Sequence, residues 1–465
     1  MLRDRVPVVD LFALVPALAL QFEPVLARLD VLLDDDRIFQ AVKADLAQRF
    51  PQTLRTGRPS TPVEVVLRLL IVRRLYGWSY AETEHFVGDS LVLRQFCRIG
   101  VARVPHHTTL LRWAGLIQPA TMQALLDHVV QLACQLRVTR GRKLRLDSTV
   151  VETAIHYPTD SRLLADGVRT LGRFIRQARP VVGARLAAVR DAFRDRTRSA
   201  RRCVQAMHRL ARRRDAAAVP GRQIVYRRLL GITRLVVRQA ERVQVALTEG
   251  VSTNHLGANR VGAELRRLLP LVRRVIDQAE RRVLKSEAVP SAEKVVSLVE
   301  PHTAVIPQHK PGQTVAFGHK MWLGEVEGGI ITEVQVLAGA AADAPQVVPT
   351  LERHIARFGR PPDLLTGDRG CSTATVRHQV AAAGVRRVAL PAAGSAPSRA
   401  TTATITRAFR RAYRWRAGIE GRIGVLKHRY GLTRCPDHGE AGFHRWVGFG
   451  VLVANLVTIA RATAH

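Results

Sequence analysis

The chain has 465 residues, 47% of them hydrophobic and 24% charged, which is typical of a folded protein with two or three domains. Its 72 basic and 38 acidic residues leave a net charge of +34, so a polyanion such as nucleic acid is the expected partner. The five cysteines form no CxxC pair, which argues against a zinc finger and fits a cytoplasmic protein.

The first part of the chain is predicted to be helical. Residues 1–57 form one helical segment, and its apolar run at 8–21 is interpreted as a core helix and not as a signal peptide. Between 58 and 140, Thr61 and Ser79 each begin a Ser/Thr-x-x-Glu capping box, and Asp89 is placed to cap a further helix. Short helices joined by tight turns favour a helix-turn-helix-like DNA-binding domain over a generic helical bundle.

Arg112 is the candidate base contact within this domain. It lies on the helix predicted to begin at 107–109. Arginine can donate two hydrogen bonds to one guanine, so an exposed arginine on a helix of this kind suits sequence recognition.

The periodicity changes at 144–151, where alternating β-branched residues predict a strand that contains Asp147. Long helices then return and form a predicted arginine-rich insertion at 161–309. Residues 161–300 alone carry 31 Arg and Lys against 12 Asp and Glu. Such one-sided charge favours contact with phosphates, although solvated helix faces are the ordinary alternative.

A second strand-rich stretch follows the insertion. Predicted strands at 314–323 and 330–337 flank a Glu-Gly-Gly turn, and helices and short strands then alternate up to a long basic helix at 405–430. The apolar run at 447–460 is too short to span a bilayer and is interpreted as a core helix. Residues 141–160 and 310–465 together predict a mixed α/β, RNase H-like catalytic core.

Two acidic residues occupy informative positions in this core. Asp147 lies inside an apolar strand, where a carboxylate is costly to bury unless it is paired or binds metal; a solvent-exposed strand end is the alternative. Asp368 follows a short apolar strand in a Gly-Asp-x-Gly sequence, which places it at the carboxyl edge of a sheet. Aspartate beside glycine is also ordinary turn chemistry.

A third acidic residue lies on the basic helix. Tyr413, Arg416, Glu420 and Lys427 are spaced so that they share one helix face. Phosphodiester cleavage with two divalent cations needs a cluster of carboxylates, and Glu420 would complete one with Asp147 and Asp368. An exposed helix with an ordinary Arg416–Glu420 pair is the alternative.

Three stretches of the chain resemble bacterial insertion-sequence transposases with an Asp-Asp-Glu (DDE) site and a Tyr-Arg-Glu-Lys signature. They are this helix, the sequence "RLDSTVVET" around Asp147 and the sequence "LLTGDRGCS" around Asp368. Within that class the likeness is to the ISNCY group. The resemblance implies that Asp147, Asp368 and Glu420 are catalytic residues that bind Mg²⁺, with Mn²⁺ as a substitute. It also implies that Tyr413, Arg416 and Lys427 help to position DNA.

Two neighbouring residues carry weaker expectations. Lys320 lies on the strand predicted beside that of Asp147, and both a phosphate contact and simple solubility of a strand edge are open for it. Asp343 precedes a predicted helix and is expected to cap it.

The resemblance implies a transposase that binds the terminal inverted repeats of an insertion sequence, cleaves strands and joins the 3′ ends to target DNA. A homodimer is expected in the DNA complex, in the bacterial cytoplasm with the nucleoid and without a membrane partner. The alternatives are an RNase H-like nuclease without strand transfer and a catalytically inactive DNA-binding repressor. For a DDE site, Asp147 and Asp368 should lie on adjacent parallel strands, with Glu420 facing them.

Overall fold

The computed structural model describes residues 22–49, 60–212, 218–250, 256–310, 313–391 and 407–464, so the helix predicted at 8–21 lies outside the described residues. The helices are α1 (Pro24–Leu32), α2 (Asp36–Ala47), α3 (Val63–Tyr76), α4 (Tyr80–Asp89), α5 (Leu91–Phe96), α6 (His107–Ala114), α7 (Pro119–Gln135), α8 (Asp160–Val182), α9 (Thr197–Ala211), α10 (Ala218–Gly250), α11 (Leu256–Ala279), α12 (Ala344–Phe358), α13 (Ala374–Ala382), α14 (Arg407–His428) and α15 (Glu440–Ala462). The strands are β1 (Lys143–Thr153), β2 (Ala304–Lys310), β3 (Gln313–Val326), β4 (Ile331–Leu337), β5 (Leu364–Thr366), β6 (Arg387–Ala389) and β7 (Arg434–Cys435).

The chain folds into two compact units. The first combines Met1–Ala154 with His319–His465, and the second is Ile155–Gly318. The arginine-rich insertion predicted at 161–309 lies inside the second unit. The amino-terminal helices, which the sequence suggested as a domain of their own, share one hydrophobic core with the sheet of the first unit.

The sheet of the first unit has the order β3–β1–β5–β6. Strand β4 pairs antiparallel with β3, and a 3₁₀ turn at Glu327–Gly329 joins the two as the predicted hairpin. Strands β1, β5 and β6 run parallel, and β7 pairs parallel with the far end of β1. The helices that connect or follow these strands pack on the sheet because their apolar faces need cover.

Helix α15 lies largely inside the core of this unit. By length and composition it is, among the described residues, the one helix that could cross a membrane, but 72% of its most apolar window is buried inside the protein. Its polar Asn455 is satisfied by the backbone of Ile331 at the start of β4, donating to the carbonyl at 2.8 Å and accepting from the amide at 2.9 Å. Packing against protein therefore accounts for its apolar composition, as expected for a core helix.

The helix starts among the amino-terminal helices follow the sequence in part. Ser79 forms the predicted capping box, because its Oγ accepts the Glu82 amide at 3.1 Å and the Glu82 carboxylate accepts the Ser79 amide at 2.8 Å. The expectation for Asp89 is wrong: this residue ends α4, and the hydroxyl of Ser90 caps α5 instead.

The capping box predicted at Thr61 is also wrong. Pro62 occupies the N-cap position of α3 and has no side-chain acceptor. Glu64, which would have closed the box, accepts a hydrogen bond from the buried Arg68 at 3.0 Å. The Glu64 carboxylate pairs with Arg68 and does not cap the helix, because a buried guanidinium without a counter-charge would be costly.

The second unit is built from long amphipathic helices. Helices α8 to α11 bury a core of their own, to which α8 contributes Leu164, Leu171 and Ile175. Helix α9 buries Ala200, Cys203 and Met207 and contains no acidic residue. Strand β2 pairs antiparallel with the first residues of β3, from Ala304 beside Gly318 to Lys310 beside Gln313.

Candidate active site

Strands β1 and β5 bring two of the predicted acidic residues side by side. The strands are adjacent and parallel, as expected, with Arg145 beside Thr366. Asp147 and Asp368 each lie two residues beyond this pair, and Asp368 is close enough to Asp147 to raise its pKa. Because β5 ends at Thr366, Asp368 follows directly on the carboxyl end of its strand.

The Asp147 carboxylate is almost buried, with 12% of its side chain exposed, so the alternative of a solvent-exposed strand end is wrong. Oδ1 accepts the Ser148 amide at 2.8 Å, and Oδ2 lies 3.2 Å from Nη2 of Arg416. Burial raises the pKa of Asp147 to about 6; the neighbouring Asp368 and Asp343 act in the same direction, and Ser148 and Arg416 oppose it.

Asp368 caps the short turn that follows it. Its Oδ1 accepts the backbone amide of Cys371 at 3.0 Å and so begins the 3₁₀ turn Arg369–Cys371. The ordinary turn chemistry that the sequence allowed is therefore present. It does not occupy the whole carboxylate, since each oxygen has two lone pairs.

Arg416 links Glu420 to Asp147. Its guanidinium donates from Nη2 to Asp147 and from Nη1 to Oε1 of Glu420, the latter at 3.3 Å. Burial works against the charge on Arg416, but the surrounding carboxylates raise its pKa overall. The ordinary helix pair of Arg416 and Glu420 is thus present, and the same guanidinium also ties the helix to the strand. The Glu420 side chain remains 65% exposed, so it stays accessible to a ligand.

A buried ion-pair cluster fixes α14 against the sheet. Arg145 on β1 pairs with Glu325 through two bonds of 2.8 Å and donates to the Trp415 carbonyl at 2.7 Å. Arg422 on α14 reaches the same Glu325 at 3.2 Å. A carboxylate with a side chain 1% exposed is thereby satisfied by two guanidinium groups, one from the strand and one from the helix.

Gly418 makes this close approach possible. A Cβ at that position would lie 2.3 Å from Nη1 of Arg145, which is closer than real atoms come. The helix can therefore lie over the Arg145 guanidinium only where it has no side chain.

Asp343 belongs to the same cluster of acidic residues, which the sequence did not indicate. It stands at the N-cap position of α12, but its side chain makes no capping bond, so the predicted cap is wrong. Its Oδ2 instead accepts the Ser148 hydroxyl at 3.1 Å, and its Oδ1 lies 2.8 Å from Nζ of Lys320. The carboxylate turns away from the helix because a cation and a hydroxyl are within reach on the sheet.

Lys320 is held inside the structure. Besides the pair with Asp343, its ammonium donates to the Ala341 carbonyl at 3.0 Å, and 18% of its side chain is exposed. Strand β3 is flanked by β4 and β1, so the explanation as a solubilising edge residue is wrong.

The remaining predicted residues lie on exposed or half-buried surfaces. Tyr413 on α14 is 37% exposed and stacks on Phe409 with 6.2 Å between the ring centroids. Lys427 is half-buried on the same helix, and Arg112 is exposed on α6. Helix α14 thus carries Tyr413, Arg416, Glu420 and Lys427 together, whereas Arg112 belongs to the amino-terminal helices.

Among the described residues, Glu84, His106 and His107 form the one group of three metal-ligating side chains whose ligand atoms all lie within 4.8 Å of one another. The carboxylates of Asp147, Asp343, Asp368 and Glu420 do not come together that closely. His106 caps α6 through Thr108, and Glu84 accepts both the amide and the ring nitrogen of His107 at 2.8 and 2.7 Å. The start of α6 at these residues accounts for the contacts.

Comparison with known proteins gives one match. Residues 18–115 match the family model described as "Transposase domain (DUF772)". No curated protein and no solved structure matches the chain. The matched stretch contains α1 to α6, so Asp147, Asp368 and Glu420 lie outside it. On this match, the chain carries a transposase domain in its amino-terminal helices, which supports a transposase.

Proposed function

We propose that the chain is an active DDE transposase whose sheet is an RNase H-like catalytic core. The antiparallel pair β3–β4 on one side of β1 and the parallel strands β5 and β6 on the other fit the RNase H-like order. The transposase-domain match supports transposition in general, and the arrangement of the sheet supports DDE chemistry.

One observation carries the proposal. Asp147 and Asp368 each lie two residues beyond the pairing of Arg145 with Thr366, and Arg416 connects Asp147 to Glu420 from the helix above. Asp147, Asp368 and Glu420, which are 221 and 52 positions apart in the sequence, thereby all lie close enough to Arg416 to raise its pKa. An ion pair with Arg416 would need only one of these three acidic residues, whereas a site for two divalent cations needs several.

The residues present fit a divalent cation. The donors are carboxylates, which Mg²⁺ and Mn²⁺ accept together with water and phosphate oxygens. Gly370 leaves open the space between two of the carboxylates, since a Cβ there would lie 3.2 Å from Asp368 Oδ1 and 3.3 Å from Asp343 Oδ2. Asp147, Asp368 and Glu420 would hold Mg²⁺, which when bound supplies an activated nucleophile and stabilises the leaving oxygen.

The other side chains have roles that follow from their positions. Asp147 must be ionised to act as a ligand, and its pKa of about 6 allows that at neutral pH. Arg416 holds Asp147 and Glu420 together through a single guanidinium. Tyr413 and Lys427, on the same helix, would contact the DNA backbone near the cut. Lys320 would act on a bound phosphate only indirectly, because its ammonium pairs with Asp343.

The complete reaction requires two DNA ends. The terminal inverted repeats would be bound by the amino-terminal helices, with Arg112 as a base contact. Each 3′ end would be freed by hydrolysis and then joined to target DNA, and a homodimer in the DNA complex would hold both ends.

The test is a cleavage and strand-transfer assay on duplex oligonucleotides copied from the DNA that flanks the gene. Asp147→Asn, Asp368→Asn and Glu420→Gln should each lower cleavage in Mg²⁺ by about 100-fold or more, because each removes a ligand charge with little change of shape. DNA binding, measured by mobility shift, should remain.

Two matched controls separate charge loss from ligand loss. Asp363→Asn changes the residue just before the other end of β5, whose carboxylate lies 3.7 Å from Nη1 of Arg386, and Glu352→Gln changes an exposed residue of α12. Both should cleave normally. Joined products identify a transposase, cleavage without joining a nuclease, and binding without cleavage an inactive repressor; either of the last two results would overturn the proposal.

A further inference from the structure

Asp343 has the surroundings of a site residue and not of a helix cap. It is 9% exposed, although it stands at a helix start where an acidic cap would ordinarily face the first-turn amides. Its carboxylate points toward the sheet, where Ser148 donates to Oδ2 at 3.1 Å. Ser148 also donates its backbone amide to Asp147, so one residue connects the two carboxylates.

The Asp343 and Asp368 carboxylates approach the same point. A Cβ on Gly370 would meet Asp368 Oδ1 at 3.2 Å and Asp343 Oδ2 at 3.3 Å. Gly370 has no positive φ, so the backbone does not require glycine at this position. A methyl group at this position would crowd both carboxylates, and its absence leaves the space between them open.

Bringing so many acidic groups together in a half-buried place is unfavourable unless cations are present. Within the described residues, Lys320 pairs with Asp343, and Arg416 pairs with Asp147 and Glu420. These are two positive charges for four carboxylates, counting Asp368. The geometry thus leaves negative charge that a divalent cation would neutralise.

We propose, on the basis of the function proposed above, that Asp343 is a fourth carboxylate of the cation site and contributes directly to holding a divalent ion beside Asp368. Lys320 is its positioning residue: the ammonium holds Oδ1 and leaves Oδ2 turned toward Asp368 and Ser148. The inference concerns binding of the cation, which can be measured without DNA and without turnover.

The experiment is a titration of the full chain with Mn²⁺, followed by calorimetry, in the absence of DNA. Asp343→Asn should weaken Mn²⁺ binding by about tenfold or more, as expected for loss of a ligand or of its close support. Asp363→Asn, which changes the same kind of side chain at the far end of β5, should bind Mn²⁺ as the unsubstituted protein does.

A second variant guards against misfolding. Gly370→Ala keeps all four carboxylates but fills the space between Asp343 and Asp368, so it should also weaken Mn²⁺ binding. Asp343→Asn also loses the charge that pairs with Lys320, so its thermal unfolding midpoint should fall. Gly370→Ala keeps that pair, and its midpoint should stay closer to that of the unsubstituted protein. A purely structural role of Asp343 would leave the Mn²⁺ affinity of both folded variants unchanged.

The outcomes are separable from those of the cleavage assay. Unchanged Mn²⁺ affinity in Gly370→Ala and in folded Asp343→Asn would overturn the assignment, even if the protein transposes DNA. Lack of Mn²⁺ binding by the unsubstituted chain would also overturn it, whatever the cleavage assay shows. Binding that depends on Asp343 in a protein that cuts no DNA would sustain the assignment and reject the proposed function.

Discussion

At the scale of single residues, the ionisation of Asp147 opposes folding. Its pKa rises from 3.8 to about 6 in the folded protein, chiefly through burial. A carboxyl with a raised pKa stabilises the fold fully below its unfolded pKa, and that contribution is lost as the pH rises through the folded value. Near neutral pH the protein therefore carries a carboxylate at a cost in stability.

Asp147→Asn should accordingly stabilise the metal-free protein at pH 8. Each unit of pKa is worth about 1.4 kcal/mol, so the gain in the free energy of unfolding is about 3 kcal/mol at most. At pH 4 the gain should largely vanish, because the folded carboxyl is then protonated. Thermal unfolding with a chelator, compared with Asp363→Asn at both pH values, measures the difference; equal stability of Asp147→Asn and the unsubstituted chain at pH 8 would contradict it.

The sequence predicted site residues that lie in recognisable motifs, but not a residue whose role depends on the direction of its side chain. Asp147, Asp368 and Glu420 could be proposed because alternation, a Gly-Asp-x-Gly turn and helical spacing each place a side chain on a face. Asp343 could not, since an aspartate before an Ala-Pro helix start looks like an N-cap. Its contacts with Lys320 and Ser148 on neighbouring strands turn it inward, and the direction of a side chain at a helix start is not visible in local sequence.

At the scale of elements, the position of Glu420 depends on how α14 lies on the sheet. The cluster of Arg145, Glu325 and Arg422 holds that helix, and Gly418 gives Arg145 room beneath it. Glycine inside a helix ordinarily destabilises it, so its presence at this position has a packing reason.

Two alanine substitutions on the same helix should therefore have opposite effects. Gly421→Ala, with open space around the new Cβ, should raise the free energy of unfolding by about 0.5–1 kcal/mol. Gly418→Ala should lower it by about 1–3 kcal/mol, because the held Arg145 guanidinium must move. Cleavage should fall only in Gly418→Ala.

Denaturant unfolding of both variants provides the measurement. If Gly418→Ala were as stabilising as Gly421→Ala and equally active, the cluster would not control the helix. The elements themselves were well predicted, with β1, the β3–β4 hairpin and the basic helix all found near their expected bounds. Helix starts were less well predicted, because a cap depends on which partner a side chain finds.

At the scale of the whole molecule, the charge is concentrated in the second unit. Residues 161–300 hold 31 of the 72 basic residues and 12 of the 38 acidic ones. On α9, Arg198, Arg201, Arg202 and Arg209 are exposed, and the helix has no acidic residue to neutralise them. This surface, the α9 arginine face, has the charge that phosphates require.

Replacing all four arginines of the α9 face with glutamine should weaken DNA binding and flatten its salt dependence. The slope of log K against log salt should become less steep by about 3.6, which is about 0.9 for each of the four lost phosphate contacts. The matched control replaces Arg169, Arg194, Arg267 and Arg273, each of which already pairs with an acidic residue of the same unit.

Arg112→Gln should behave differently in the same binding experiment. Loss of a base contact should reduce the preference for flanking DNA over random DNA by about 1–3 kcal/mol and should leave the salt slope nearly unchanged. For the α9 variant, by contrast, an unchanged salt slope would show that the α9 arginine face serves a purpose other than phosphate contact.

The order of the two units along the chain also determines when, during synthesis, Asp147, Asp368 and Glu420 can come together. The second unit is continuous, so its helices can pack as soon as residues 155–318 have left the ribosome. The first unit is interrupted, and β1 must wait for β3, β5 and β6 before its sheet can form. Asp147 is thus made early but meets Asp368 and Glu420 only after α14 has emerged. Every nascent chain shorter than that lacks the assembled carboxylates, so under the proposed function an incomplete translation product would not cut DNA.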